Sequence, residues 1–138
     1  MVFIAENDLE RSLVKATEDP SHHRQFYRDL LESEIHVIQH GPAMGQKGKV
    51  KRKKGRRIEL QFIEADGEAY IPIFSSVARL QAFIDDQAKC LTLSASDLLK
   101  ITRGSQLLLN PGSSVGKVFA PEEVAAILDG SIFSVLPG

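Results

Sequence analysis

Two runs of strand-type alternation meet at Asp66-Gly67, which commits the middle of this chain to a β-hairpin. Upstream, Ile58, Leu60 and Phe62 fall on one face and Glu59, Gln61 and Ile63 on the other; downstream runs the strand EAYIPIF. The Gly accepts the positive φ that a two-residue turn requires. Pro72 interrupts the second run; having no N–H to donate, it points to an edge strand or a strand end. EIHVIQH reads as a further strand, with Ile35 and Val37 on one face and His36, Ile38 and His40 on the other.

Helical spacing surrounds these strands. Asn7 or Asp8 can cap a first helix that places Leu9, Leu13 and Ala16 on one side. Asp19-Pro20-Ser21 breaks it, and Ser21 can cap a second helix with the apolar stripe Phe26, Tyr27, Leu30 and Leu31. Ser75 or Ser76 can cap VARLQAFIDD, where Leu80, Phe83 and Ile84 turn toward the sheet. CLTLS is extended and leads through Ser94 or Ser96 into DLLKITR, which Gly104 stops. QLLLN and GKVF flank the turn Asn110-Pro111-Gly112, and Pro121 opens the helix PEEVAAIL with two glutamates at its positive end. Gly130 ends that helix, and SIFSVL is expected to add a last strand. The pattern predicts one α+β domain over residues 1–138: a small mixed or antiparallel sheet of about four to five strands packed with four to five helices.

Charge is distributed unevenly. Eight of the seventeen basic residues, Lys47, Lys49, Lys51, Arg52, Lys53, Lys54, Arg56 and Arg57, lie within eleven positions that contain no acid. The rest of the chain carries nine basic against eighteen acidic side chains, so a strongly acidic body faces one basic segment. Residues 41–57 are punctuated by glycine and poor in apolar side chains, which predicts a basic loop joining two neighbouring strands. With 43% hydrophobic and 25% charged residues, the remainder is ordinary for a folded domain. A single cysteine, Cys90, forms no internal disulfide and fits a reducing compartment. No apolar run approaches membrane-spanning length and the start lacks the parts of a secretory leader, so a cytoplasmic protein without membrane contact is expected.

The residues that could carry chemistry are scattered. His22 and His23 are adjacent on a helix and diverge, while His36 and His40 stand too far apart on one strand for a shared ion, about 13 Å. No metal, cofactor or catalytic residue is expected, and Cys90 reads as a buried structural thiol. Asn110–Gly116 could offer backbone N–H groups to an anion, with Gly112 and Gly116 admitting a ligand closely. The cationic segment could engage polyphosphate, but it has no aromatic residue for base stacking. An acidic protein surface, including the body of another copy, is the competing occupant.

Taken in order, DGEAYIPIFSSVARLQAF and LLLNPGSSVGKVFAPEEVAAIL resemble the N-terminal domain of the SseB family, the enhanced-serine-sensitivity proteins. The first segment is similar to the family's acidic-Gly turn, its apolar strand ending in Phe-Ser-Ser and its helix with an Arg-Leu pair. The second is similar to its Asn-Pro-Gly turn and Pro-Glu-Glu helix. The match covers most of residues 7–128; the basic stretch 41–57 departs from the family's pattern. The resemblance brings no catalytic residues and implies a non-enzymatic interaction or accessory module, with a link to type III secretion through the label some members carry. It further implies that Phe74, Ser75, Ser76, Asn110, Pro111 and Gly112 shape one surface. A protein partner is the leading expectation. Nucleic acid held by Lys47–Arg57 and a small ligand at Asn110–Gly116 are the alternatives.

Overall fold

The computed structural model describes residues 5–39, 48–53, 56–84 and 89–135, with side chains placed except at 48–59, 89 and 135. The chain begins with α1 (Asp8–Glu18), capped by Asn7, whose side chain accepts from the Glu10 N–H. Asp19 then caps a 3-10 turn, Pro20–His22, and α2 (His23–Leu31) follows. Ser21 therefore lies inside the turn; Pro20 has no N–H and suits its first position.

The sheet is built outward from β1 (Glu34–Gln39). Along one edge β1 pairs with β6 (Lys89–Ser94), from Glu34 opposite Ser94 to Gln39 opposite Lys89. Its other edge meets β5 (Glu68–Phe74) at His36 and Val37, then β3 (Arg56–Gln61) at Gln39. β4 (Ile63–Ala65) continues β3 past Phe62 and forms the hairpin with β5 through Asp66 and Gly67, at φ 52° and 80°. These positive angles are those of the twist-compatible hairpin turn expected for Asp-Gly. β7 (Leu107–Leu109) runs parallel to β5, and β8 (Lys117–Phe119) closes that end antiparallel to β7. The sheet is thus mixed, in the order β2-β3-β1-β5-β7-β8, with β4 on β5 and β6 on β1.

Pro72 points to an edge strand or a strand end; β5 lies within the sheet, with Pro72 two residues before its end. The parallel ladder to β7 uses the N–H of Ile71, bonded to the Gln106 carbonyl at 2.9 Å, and the carbonyl of Ile73, bonded by the Asn110 N–H at 2.8 Å. Pro72 therefore turns its missing N–H to the opposite side, between the end of the β4 ladder at Tyr70 and the start of the β1 ladder at Ile73. No ladder bond is lost there, which is why an interior strand tolerates the proline.

The basic segment also departs from expectation. Gly48–Lys53 forms β2, paired antiparallel with β3 from Gly48 opposite Gln61 to Lys53 opposite Arg56. The 41–57 stretch thus contains strand as well as connection, although it does link the neighbouring strands β1 and β3. The tail differs too: Ile132–Val135 is a short helix, α6, rather than a strand. Ile132 and Phe133 pack against the main core, as residues from a turn after Gly130 can do without a sheet edge to join.

Four helices, α1, α2, α4 (Ala95–Ile101) and α5 (Pro121–Asp129), cover one face. Leu9, Leu13, Phe26, Leu30, Leu98 and Val124 meet Ile35, Val37, Ile73, Leu107, Leu109 and Phe119 there. Each such side chain contributes about 1.5–3 kcal/mol on burial. Among the described residues the other face carries one helix, α3 (Val77–Phe83), seated by Leu80 on Ile38 and Phe74 with Ile84 beside them. Ile38 and Val37 alternate along one strand, so the two cores are separated only by the thickness of the sheet.

Candidate functional site

The Phe74-Ser75-Ser76 and Asn110-Pro111-Gly112 motifs, 35 residues apart at Ser75 and Asn110, come together where β5 gives way to α3 and β7 to its turn. The Ser75 N–H donates to Asn110 Oδ1 at 3.0 Å, and Asn110 Nδ2 donates to Ser75 Oγ at 2.8 Å. Asn110 holds a left-handed φ of 55°, a conformation this side chain tolerates well. Ser75 Oγ in turn donates to Glu10 Oε2 at 2.5 Å. Asn7 closes the circuit by donating its amide to the Ser75 carbonyl at 2.9 Å.

Glu10 is the centre of this group and has no solvent exposure. It sits three residues after its N-cap Asn7, in the position of a capping-box acid, and accepts the Glu6 N–H at 2.9 Å. From α3, Arg79 reaches both carboxylate oxygens, at 3.1 Å and 3.4 Å. Burial pushes the Glu10 carboxyl up, but Arg79, Ser75 and the Glu6 N–H outweigh it and hold the group below the usual carboxylate range. Ser76 caps α3, accepting the Arg79 N–H at 3.2 Å and donating to Glu6 at 3.0 Å. A hydroxyl beside a carboxylate has the outward form of a nucleophile and its base. Here the carboxylate is ion-paired, which weakens it as a base, and Ser75 is buried. The arrangement ties three chain segments into one rigid corner.

This corner fixes the surface around it. Phe83 packs on Phe74 with ring centroids 5.5 Å apart, and the missing side chain of Gly112 faces the Phe83 ring. Phe83 is nevertheless 38% exposed, and Val77 at the start of α3 is 47% exposed. Pro72, Leu108 and Val118 form a row across β5, β7 and β8 on the same sheet face as Phe74. Strand spacing sets that row about 7 Å from Phe74. Val118 is 45% exposed and Leu108 is half-buried while Pro72 is buried, so the exposed apolar surface of this row lies at its β7–β8 end.

The remaining predicted positions are placed differently. Asn110 is internal and its amide is consumed, so it is not offered to a ligand. A side chain at Gly116 would fall 2.6 Å from the Leu109 carbonyl oxygen, so the chain itself fills the space expected to admit a ligand. Cys90 is exposed on β6 rather than buried, although it stands opposite the buried Ile38; partial desolvation raises its thiol. His36 bonds Thr92 at 2.8 Å across the same pair of strands, and desolvation lowers its imidazole despite Glu34 nearby. His40 lies outside the described residues. Among those described, no group of three metal-ligating side chains converges.

Of the eight cations, Lys49, Lys51, Arg52 and Lys53 have their backbone in β2, and Arg56 and Arg57 theirs in β3, while Lys47 and Lys54 lie outside the described residues. A cleft of about 190 Å³ opens between α1, α2 and β8, floored by Leu13, Phe26 and Tyr27. At its edge the Tyr27 hydroxyl and the Lys117 ammonium share one oxygen of Glu123, the latter at 2.9 Å. Burial first, then Glu123, raises the Tyr27 hydroxyl well above its ordinary value.

Sequence reading did not find Glu10 and Arg79 as the heart of the corner. The signal was present: Glu10 flanks the Leu9–Leu13 stripe of α1, where an acid needs a partner, and Arg79 is the Arg of the Arg-Leu pair.

Among the described residues, a mixed sheet with α1, α2, α4 and α5 on one face and α3 on the other defines the class: an α+β domain. The chain belongs to the SseB family, whose N-terminal-domain model matches residues 9–126. It is 32% identical over 123 residues to Protein SseB of Escherichia coli strain K12 and, equally, to Protein SseB of Shigella flexneri. These alignments cover 88% of this chain and 46% of each relative, so the chain spans about half the length of the curated relatives it matches. No solved structure matches it. Among the described residues no helix is long and apolar enough to cross a membrane.

Proposed function

We propose that this domain is a non-enzymatic protein-interaction module that meets its partner through the open face beside α3. One observation carries the reading: the fully buried carboxylate of Glu10, ion-paired to the partly exposed Arg79 and bonded with Ser75 and Asn110, fixes a helix whose outer flanks leave Phe83 and Val77 in solvent. A buried carboxylate held by a cation is a poor route to stability, so its use here fits the placing of a surface. Exposed apolar side chains on a fixed surface are a mark of a protein contact.

The reading is tested by affinity capture from host lysate under nuclease treatment, comparing the wild type with Phe83→Ser and Val118→Arg. Proteins held by the wild type and released by both variants, with melting temperatures unchanged, support it. Capture that survives both substitutions, or that nuclease removes entirely, overturns it.

A further inference from the structure

β2 is six residues long and stands at one end of the sheet order; among the described residues it pairs with β3 alone. An open strand edge presents unused N–H and C=O groups and is a ready template for another strand. The sequence of β2 decides which strand that is. Lys49, Lys51 and Lys53 occupy alternate register positions, opposite Leu60, Ile58 and Arg56. Arg52, opposite Arg57, is a fourth cation of the strand. No acid falls between Lys47 and Arg57.

This pattern excludes the edge's most dangerous partner, its own copy. A second β2 would set lysines and arginines directly against lysines and arginines, and like charges opposite one another destabilise a strand pair. An extended segment with acids at alternate positions meets the reverse condition, since each cation finds an anion while the backbone ladder forms. Nucleic acid fits less well, because phosphates use the charge but not the strand edge, and no aromatic side chain lies between residues 47 and 57 to stack a base.

We infer that β2 is a docking edge for an acidic, extended peptide segment of a partner protein, which adds as a strand beyond β2. This edge is separate from the α3 face, so substitutions at Phe83 and Val118 leave it intact.

The probe is a fluorescein-labelled peptide of about ten residues, alternating Glu and Val, long enough to span β2. Anisotropy titrations compare it with the same peptide N-methylated at alternate residues and with an oligothymidylate of equal charge. Saturable one-to-one binding is expected, weakened about tenfold by the triple variant Lys49→Gln, Lys51→Gln, Lys53→Gln. N-methylation should weaken it at least as much, since it removes the backbone bonds and keeps the charge. Circular dichroism of the triple variant should match the wild type, as Lys→Gln leaves the backbone pairing of β2 with β3 in place. Equal binding of the methylated peptide would reduce the effect to loose charge attraction and overturn the inference. Tighter binding of the oligothymidylate would assign the segment to nucleic acid instead, and no binding of the peptide would remove the site.

Discussion

Glu10 is a carboxylate placed where α1 would otherwise bury an apolar side chain, and its environment makes its removal expensive. Glu10→Ala takes from Arg79 its carboxylate partner and from Ser75 an acceptor, and is expected to lower stability by about 3 kcal/mol. Glu10→Gln keeps the shape and discards the charge, which isolates the pH dependence. The folded carboxyl lies below its ordinary value of 4.5. A carboxyl depressed on folding contributes stability that is fully present above its unfolded value and is lost as pH falls through the folded one. Urea unfolding from pH 7 downward should therefore show the wild type losing more stability than Glu10→Gln below about pH 4.5. Parallel losses would mean that other carboxylates govern the acid limb. Asn110→Ala is a third case, since it strips both bonds to Ser75 and leaves a left-handed backbone that alanine resists. A loss of about 2–3 kcal/mol in thermal or urea melts is expected, with Asn110→Asp recovering part through its remaining acceptor.

At the scale of elements, two glycines in turns separate conformational need from space. At Gly67, φ is +80° and nothing lies within 4 Å of an added Cβ, so Gly67→Ala costs only backbone strain, about 1 kcal/mol. At Gly116 the added Cβ would meet the Leu109 carbonyl oxygen at 2.6 Å, so Gly116→Ala must push β8 away from β7. A loss of about 2–3 kcal/mol is expected there, with faster amide exchange confined first to β8. Equal losses at the two sites would refute the distinction. These elements also show what was legible in the sequence. The Asp-Gly hairpin, the cap of α1 and the Pro121 start of α5 were readable because each depends on local backbone chemistry. β2 was not, since six residues with four cations offer no apolar alternation and become a strand only by pairing with β3. Pro72 misled because its tolerance depends on the gap between two neighbouring ladders, which no single strand encodes. The motif residues of the corner were found, but not Glu10, whose role rests on Arg79 lying 69 positions away.

For the whole molecule, the question is whether the α3 layer unfolds with the rest or ahead of it. Its core is small, Leu80 on Ile38 and Phe74 with Ile84 alongside, and taken alone it would hold a seven-residue helix weakly. Two connections argue against independence. Ile38 and Phe74 sit next to Val37 and Ile73, whose side chains are fully or almost fully buried in the main core, so a shift of either strand disturbs both faces. The Arg79–Glu10 pair also joins α3 to α1, an element of the opposite layer. Leu80→Ala should therefore lower the melting temperature of the entire domain by about 10 °C, for a cavity costing about 3 kcal/mol. The natural reporter is Tyr27, which lies in the main core among Phe26 and Phe119 and far from α3 in the packing. If its near-ultraviolet signal and the helical signal at 222 nm move together, the two layers form one cooperative unit. If Tyr27 melts at the wild-type temperature while helical signal is lost earlier, α3 is an independent lid. The corner would then fix the surface less firmly than a preformed partner site requires, and the case for the open face beside α3 as a ready-made contact would fall with it.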